Sequence, residues 1–307
     1  MRVKLLGTAA GGGFPQWNCC CPNCSALRYG NFHGKARTQL QVAISGDGES
    51  WCLLNASPDL RAQLETDRDF WPHGAPRSTP ISTVVLTGAE VDQVLGLLTL
   101  REFQRFAVYA TTGVQSVLRE DNSIFGVLNR LEQQVKWIDI VPEQAFQLLS
   151  RNGEFGLFCT MISVGDCLPA YVSDSRAKAI PIRERSLGLV MESKSRRRLG
   201  FFPAVPALNS AMQQQLSIMD VILFDGTFWS EDELTTVQAG GPTGREMGHI
   251  PVSGPSGSLQ LLSGLRARKI YVHMNNTNPM LDESGPEYRQ VREAGWEMGE
   301  DGWQFEL

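Results

Sequence analysis

Residues 84–100 read VVLTGAEVDQVLGLLTL, an apolar strand that passes through a Thr-Gly turn into a segment with apolar residues at helical spacing. Working outward, VKLLGT (3–8), TQLQVAIS (38–45), WCLLNAS (51–57) and AVYATT (107–112) predict further strands, each bounded by Gly, Pro, Ser or Asp. Helical spacing covers 58–66, with Ser57 as expected N-cap, then 92–103 and parts of 113–135. The second half repeats the theme. Strands are expected at 137–141, 145–149, 155–164, 187–193, 197–205, 221–227, 269–275 and 303–307, with helices over 209–219, 256–265 and 287–294. Strand-rich halves with helices outside predict an α/β (α+β) chain, an αββα sandwich of two mixed β-sheets. No low-complexity linker or repeat divides the chain, so 1–307 is expected to be a single domain. A doubly wound parallel sheet is the alternative, but the 137–205 block supplies too few crossover helices for it.

Composition narrows the function classes. The chain has 307 residues, 42% of them hydrophobic, which is ordinary for a soluble globular protein. Its net charge is −5 and its one dense basic run is Lys194 to Arg198, so no nucleic-acid or anionic-membrane footprint is expected. No stretch approaches the roughly 18 apolar residues of a membrane span, and the N-terminus breaks into glycines before a signal-peptide core forms. A cytoplasmic location is the expectation.

Of seven cysteines, four fall at Cys19, Cys20, Cys21 and Cys24, while Cys52, Cys159 and Cys167 sit singly. Small buried cysteines in a loop are the bland explanation, but such clustering favours metal in a reducing compartment over a disulfide framework. CxCxxC at Cys19, Cys21 and Cys24 can wrap one tetrahedral Zn²⁺, leaving Cys20 to point away. The fourth ligand must then come from elsewhere. His33 is nearest in sequence, yet a lone His in a polar loop is more often exposed than ligating.

The turn at 88–93 matches the frame of an HxHxDH metal motif, but its ligand positions hold Gly88, Glu90, Asp92 and Gln93. Only the aspartate fits. A two-zinc hydrolase site of that type uses about five histidines and two aspartates around a bridging hydroxide. The whole chain has four histidines, and two of these, His33 and His73, lie in loop-like segments. A dinuclear zinc hydrolase is therefore excluded. What remains is Asp92, Asp225, His249 and His273, at strand ends or in adjacent loops, where neighbouring strands converge on a crevice. Each has an ordinary explanation as a cap, a turn residue or a satisfied core histidine. Together they favour a site. Two carboxylates and one or two imidazoles suit Fe²⁺, Mn²⁺ or Mg²⁺ at least as well as Zn²⁺, with open positions for water, O₂ or substrate.

Four strings carry a family resemblance: GTAAGGGFPQWNCCCPNC (7–24), NASPDLRAQL (55–64), TGREMGHIP (243–251) and HMNNTNPML (273–281). In this order and spacing the chain resembles the PQQ synthesis protein B family, from the first strand to the last. The resemblance implies the metallo-β-lactamase fold and a role in making pyrroloquinoline quinone (PQQ) from a tyrosine- and glutamate-containing precursor. It implies iron-dependent hydroxylation of the tyrosine ring, with a carrier of PQQ or its precursor toward the periplasm as the alternative. By position, Asp92 and His273 match family ligands of an active-site Fe²⁺, and Gln93 stands where a second imidazole is usual. The CxCxxC cysteines match a structural zinc site whose fourth ligand falls on Asn276. Asp225 and His249 are then expected to move protons beside Asp92, and Arg101 and Arg245 to grip precursor carboxylates through paired hydrogen bonds. Expected partners are that precursor and other proteins of the pathway.

Overall fold

The structure is a computed structural model that describes residues 1–151, 153–237 and 240–307. Its strands are β1 (Arg2–Gly7), β2 (Gln41–Ser45), β3 (Trp51–Leu54), β4 (Ile81–Val85), β5 (Phe106–Ala110), β6 (Val135–Asp139), β7 (Ala145–Ser150), β8 (Gly153–Gly165), β9 (Ser186–Ser193), β10 (Arg198–Phe202), β11 (Val221–Asp225), β12 (Arg268–Val272), β13 (Trp296–Met298) and β14 (Trp303–Glu306). They form two seven-stranded sheets of mixed direction, as the sandwich expectation requires, and a single doubly wound sheet is excluded. The chain divides into two compact units.

The first unit holds Met1–Leu6, Gln41–Arg197 and Gly302–Leu307. One sheet runs β14-β1-β2-β3-β4-β5-β6, parallel from β3 to β6, and β7, β8 and β9 form an antiparallel meander. Helices cover the outer face of the first sheet. Trp51, Leu53, Val84, Leu86, Val108, Val114, Val117 and Leu118 are buried there in one apolar cluster, which supplies the main driving force for this unit. On the other face the meander packs against β4 and β5. Thr83 Oγ1 donates to Leu149 O at 2.8 Å, and a Cβ on Gly46 would collide with Phe155 O.

Two expectations change in detail here. The helix of 58–66 is Leu60–Glu65 with Asp59, not Ser57, as N-cap; Ser57 Oγ instead accepts from Asp59 N–H. The helix expected over 92–103 is α-helical only over Val91–Val94 and tightens to a 3₁₀ helix over Leu95–Arg101. Gly96 explains the break. Its N–H donates out of the helix to Ala56 O at 2.9 Å, and a Cβ there would strike Ser57 O, so the segment is pulled against the β3 exit.

The second unit holds Gly7–Leu40 and Arg198–Asp301. Strands β10, β11, β12 and β13 are all parallel, so their carboxyl ends open on one edge. Asp225 ends β11 and pairs in register with Val272, which puts His273 just beyond the neighbouring strand end. The loop after β1 returns to that edge, where Ala9 bridges Gln39 and Met274. Strand β13 and the helix Pro22–Arg28 are additions to the expected elements. Pro22 at the first helical position starts that helix directly after Cys21.

Candidate metal centres

The described residues contain two groups with metal-type donors, and both belong to the second unit. The first is Cys19, Cys21 and Cys24, whose sulfur atoms lie within 4.8 Å of one another. Cys24 is held by the helix Pro22–Arg28, and Cys20 is exposed, as expected of the thiol left out. The side-chain amide of Asn276 faces all three sulfurs, its Nδ2 at 3.2 Å from Cys19, 3.6 Å from Cys21 and 3.4 Å from Cys24. Asn23 fastens this arrangement by donating to Asn276 O and Asn278 O. Burial pushes the Cys21 thiol up to about 12, and its neighbours Cys19 and Cys24 add to the rise. For Cys19 burial also acts upward, but hydrogen bonds from the Cys21 backbone and contacts with Cys21, Cys24 and Asn276 outweigh it and bring that thiol below its usual value. Three thiols beside one amide supply four donors of the kind that hold Zn²⁺ tetrahedrally, once a half-turn of the amide brings its oxygen to the sulfurs.

The second group is Asp225, His249 and His273, again with one donor atom each within 4.8 Å. Asp225 is fully buried and both histidines are 7% exposed. The carboxylate is held on all sides. Its Oδ1 accepts from the N–H and hydroxyl of Thr227 at 3.0 and 2.7 Å, and its Oδ2 accepts from Val205 N–H at 2.8 Å and pairs with His249 Nδ1 at 2.9 Å. Four contacts satisfy the acceptor capacity of a carboxylate, so Asp225 orients imidazole as the outer carboxylate of a metal site does. The His249 and His273 rings stack with centroids 5.1 Å apart and planes 23° from parallel, and Phe228 closes on His249 edge-on. His273 has a left-handed backbone, φ +59°, which is uncommon outside glycine. That turn aims its carbonyl at Thr227 Oγ1, 2.8 Å away. The two imidazoles are donors of the kind that hold a ferrous or zinc ion, with Asp225 behind them as the orienting carboxylate.

Asp92 and Gln93 lie in the short helix Val91–Val94 of the first unit, and Asp92 is in neither donor group. Gln93 Oε1 is buried with no hydrogen-bond donor among the described residues, and it lies 2.5 Å from where a Cβ on Gly88 would stand. Arg101 donates to Leu98 O and pairs with Glu102. Arg245 is engaged by Glu231 and by Ser256. Both guanidinium groups are partly exposed and paired on the surface of their own unit. Sequence reading missed Glu233, a buried carboxylate that accepts from Trp229 N–H at 2.6 Å and from the Thr277 hydroxyl. Burial pushes it up to about 7 against the lowering effect of those bonds. It also missed Thr227, whose position between Asp225 and His273 only the strand register discloses.

The family model for the beta-lactamase superfamily domain matches residues 50–274. Coenzyme PQQ synthesis protein B of Xanthomonas axonopodis pv. citri is 37% identical over 309 residues, covering 100% of both chains. The chain belongs to the coenzyme PQQ synthesis protein B family. The crystal structure of Zn(2+)-bound PqqB from Methylobacterium extorquens superposes with a TM-score of 0.91 at 37% identity, again over 100% of both chains. A diphosphatase of the PhnP family has a TM-score of 0.68 at 18% identity, covering 100% of this chain and 97% of that one, which is a likeness of fold alone. The metallo-β-lactamase fold and the place of this family in PQQ synthesis are thus as the sequence implied.

Proposed function

We propose that the protein hydroxylates the tyrosine ring of the peptide-derived PQQ precursor at a metal held beside Asp225, His249 and His273. The observation that carries this reading is that pair of buried, stacked imidazoles, oriented by one fully satisfied carboxylate, since imidazole is a ligand that suits Fe²⁺. Bound iron would supply the activation of O₂. The chain's own contribution is positioning. Asp225 holds His249 by its Nδ1, Val205 N–H and Thr227 N–H hold Asp225, and Phe228 shields one face from water. A separate Zn²⁺ at Cys19, Cys21 and Cys24, completed by Asn276, would clip the loop 7–40 to the segment after β12.

A second reading, a carrier that binds PQQ or its precursor without turnover, draws support from Gln93. Its buried Oε1 offers an acceptor to a ligand N–H or O–H at a position where the family resemblance implies an imidazole. Iron-loaded protein given the precursor separates the two readings. With O₂ and a two-electron reductant such as ascorbate supplied, hydroxylation yields product one oxygen atom heavier, the second oxygen leaving as water, with matching O₂ uptake; a carrier yields saturable binding and unchanged precursor.

A further inference from the structure

Thr227 is not among the metal-type donors, yet its hydroxyl touches every member of the histidine cluster. Thr227 Oγ1 lies 2.7 Å from Asp225 Oδ1, 2.8 Å from His273 O, 2.8 Å from His273 Nδ1 and 3.0 Å from His249 Nδ1. A hydroxyl has one proton to give and two lone pairs that accept. Asp225 Oδ1 and His273 O are pure acceptors, so the single Thr227 proton is drawn toward that side. The lone pairs of the hydroxyl then face the two ring nitrogens. At 2.8 Å an unprotonated Nδ1 on His273 would set lone pair against lone pair. The arrangement with the fewest opposed lone pairs therefore puts a proton on His273 Nδ1, which donates it to Thr227. His249 Nδ1 must carry one as well, because its other neighbour, Asp225 Oδ2 at 2.9 Å, only accepts.

We infer that Thr227 is a positioning residue that fixes both imidazoles in the Nδ1–H tautomer, so that each ring carries its lone pair on Nε2. The shared anchor also accounts for the stacking: two rings are tethered through the same ring atom to one oxygen, with planes 23° apart. The β-branched side chain suits this task, since branching at Cβ restricts χ1 and fixes the direction of Oγ1. The tautomer assignment stands independently of hydroxylation. Its consequence for metal binding rests on the proposed metal centre.

The test is ¹⁵N NMR of the imidazoles in the full-length protein without added metal at the histidine cluster, at a pH well above the usual histidine range. Both rings are expected as Nδ1–H with unprotonated Nε2. The variants separate positioning from mere folding by an asymmetry. Thr227→Val removes the only side-chain acceptor that the inference gives His273 Nδ1, so His273 should shift toward the Nε2–H form while His249, still held by Asp225, keeps its tautomer. Thr227→Ser should retain the parent spectrum. Metal affinity at the cluster, measured by competition with a chromophoric chelator, should fall about 10- to 100-fold in Thr227→Val and recover in Thr227→Ser. An Nε2–H His273 in the parent protein overturns the inference outright, even if Thr227→Val does not fold, and so does a His273 signal unmoved in a folded Thr227→Val.

Discussion

His249 lies face to face with His273, ring centroids 5.1 Å apart, although one belongs to a Gly-flanked loop and the other follows a buried strand. Both rings reach one atom, Thr227 Oγ1, through Nδ1, and the Asp225 carboxylate stands behind His249.

The carboxylate is the first point to test. Asp225→Ala would leave the N–H groups of Val205 and Thr227 buried without acceptors, each costing about 1–3 kcal/mol. A denaturant titration should show a loss on the order of 3 kcal/mol, with metal affinity at the cluster falling alongside. An unchanged midpoint would mean that the network around Asp225 is not formed as described.

The cysteine cluster predicts a contrast between neighbours. Cys24→Ser and Cys21→Ser should lower zinc content and thermal stability, because both sulfurs are buried against Asn276. Cys20→Ser should do neither, since Cys20 is exposed. Equal loss of zinc in all three variants would contradict the assignment.

Glu233 gives the stability curve a pH signature. Its folded value of about 7 stands above the 4.5 of a free glutamate, so the folded state holds the proton over that window more than the unfolded state does. Stability should fall as pH rises from about 4.5 to about 7, by on the order of 3 kcal/mol from this group, and level off above. Glu233→Gln should flatten that slope. A slope unaltered in the variant would assign the pH dependence elsewhere.

Gln93 offers a test of the ligand side. Its buried, unsatisfied Oε1 makes Gln93→Met neutral or stabilising by about 1 kcal/mol in the free protein. If that oxygen receives a donor from the precursor, the same variant should bind precursor about tenfold more weakly by calorimetry, roughly the net worth of one hydrogen bond. A variant with parent affinity would remove Gln93 from the ligand site.

The fold is legible because strand runs bounded by Gly, Pro and Asp mark the strands of the described residues, all but β13, which is three residues long. The thiol site was legible as well, since CxCxxC is a local spacing. The histidine cluster was half visible. Asp225 and His273 end apolar strands, but the register that sets β11 beside β12 is a tertiary fact, and Thr227 acquires its role only through it. Glu233 carries no local signal either: a Glu in the first turn of a helix reads as a favourable dipole partner, and its burial depends on the loop that carries Thr277. The broken helix after Val94 traces to Gly96, whose close approach to Ala56 and Ser57 overrides helical periodicity.

The most direct test of two distinct metal centres is metal content per chain, by elemental analysis, for protein purified without added metal and then loaded with iron. Cys21→Ser should lose zinc and keep iron, and His273→Ala should lose iron and keep zinc. Loss of both metals together in either folded variant, or iron retained at parent level in His273→Ala, would contradict the account.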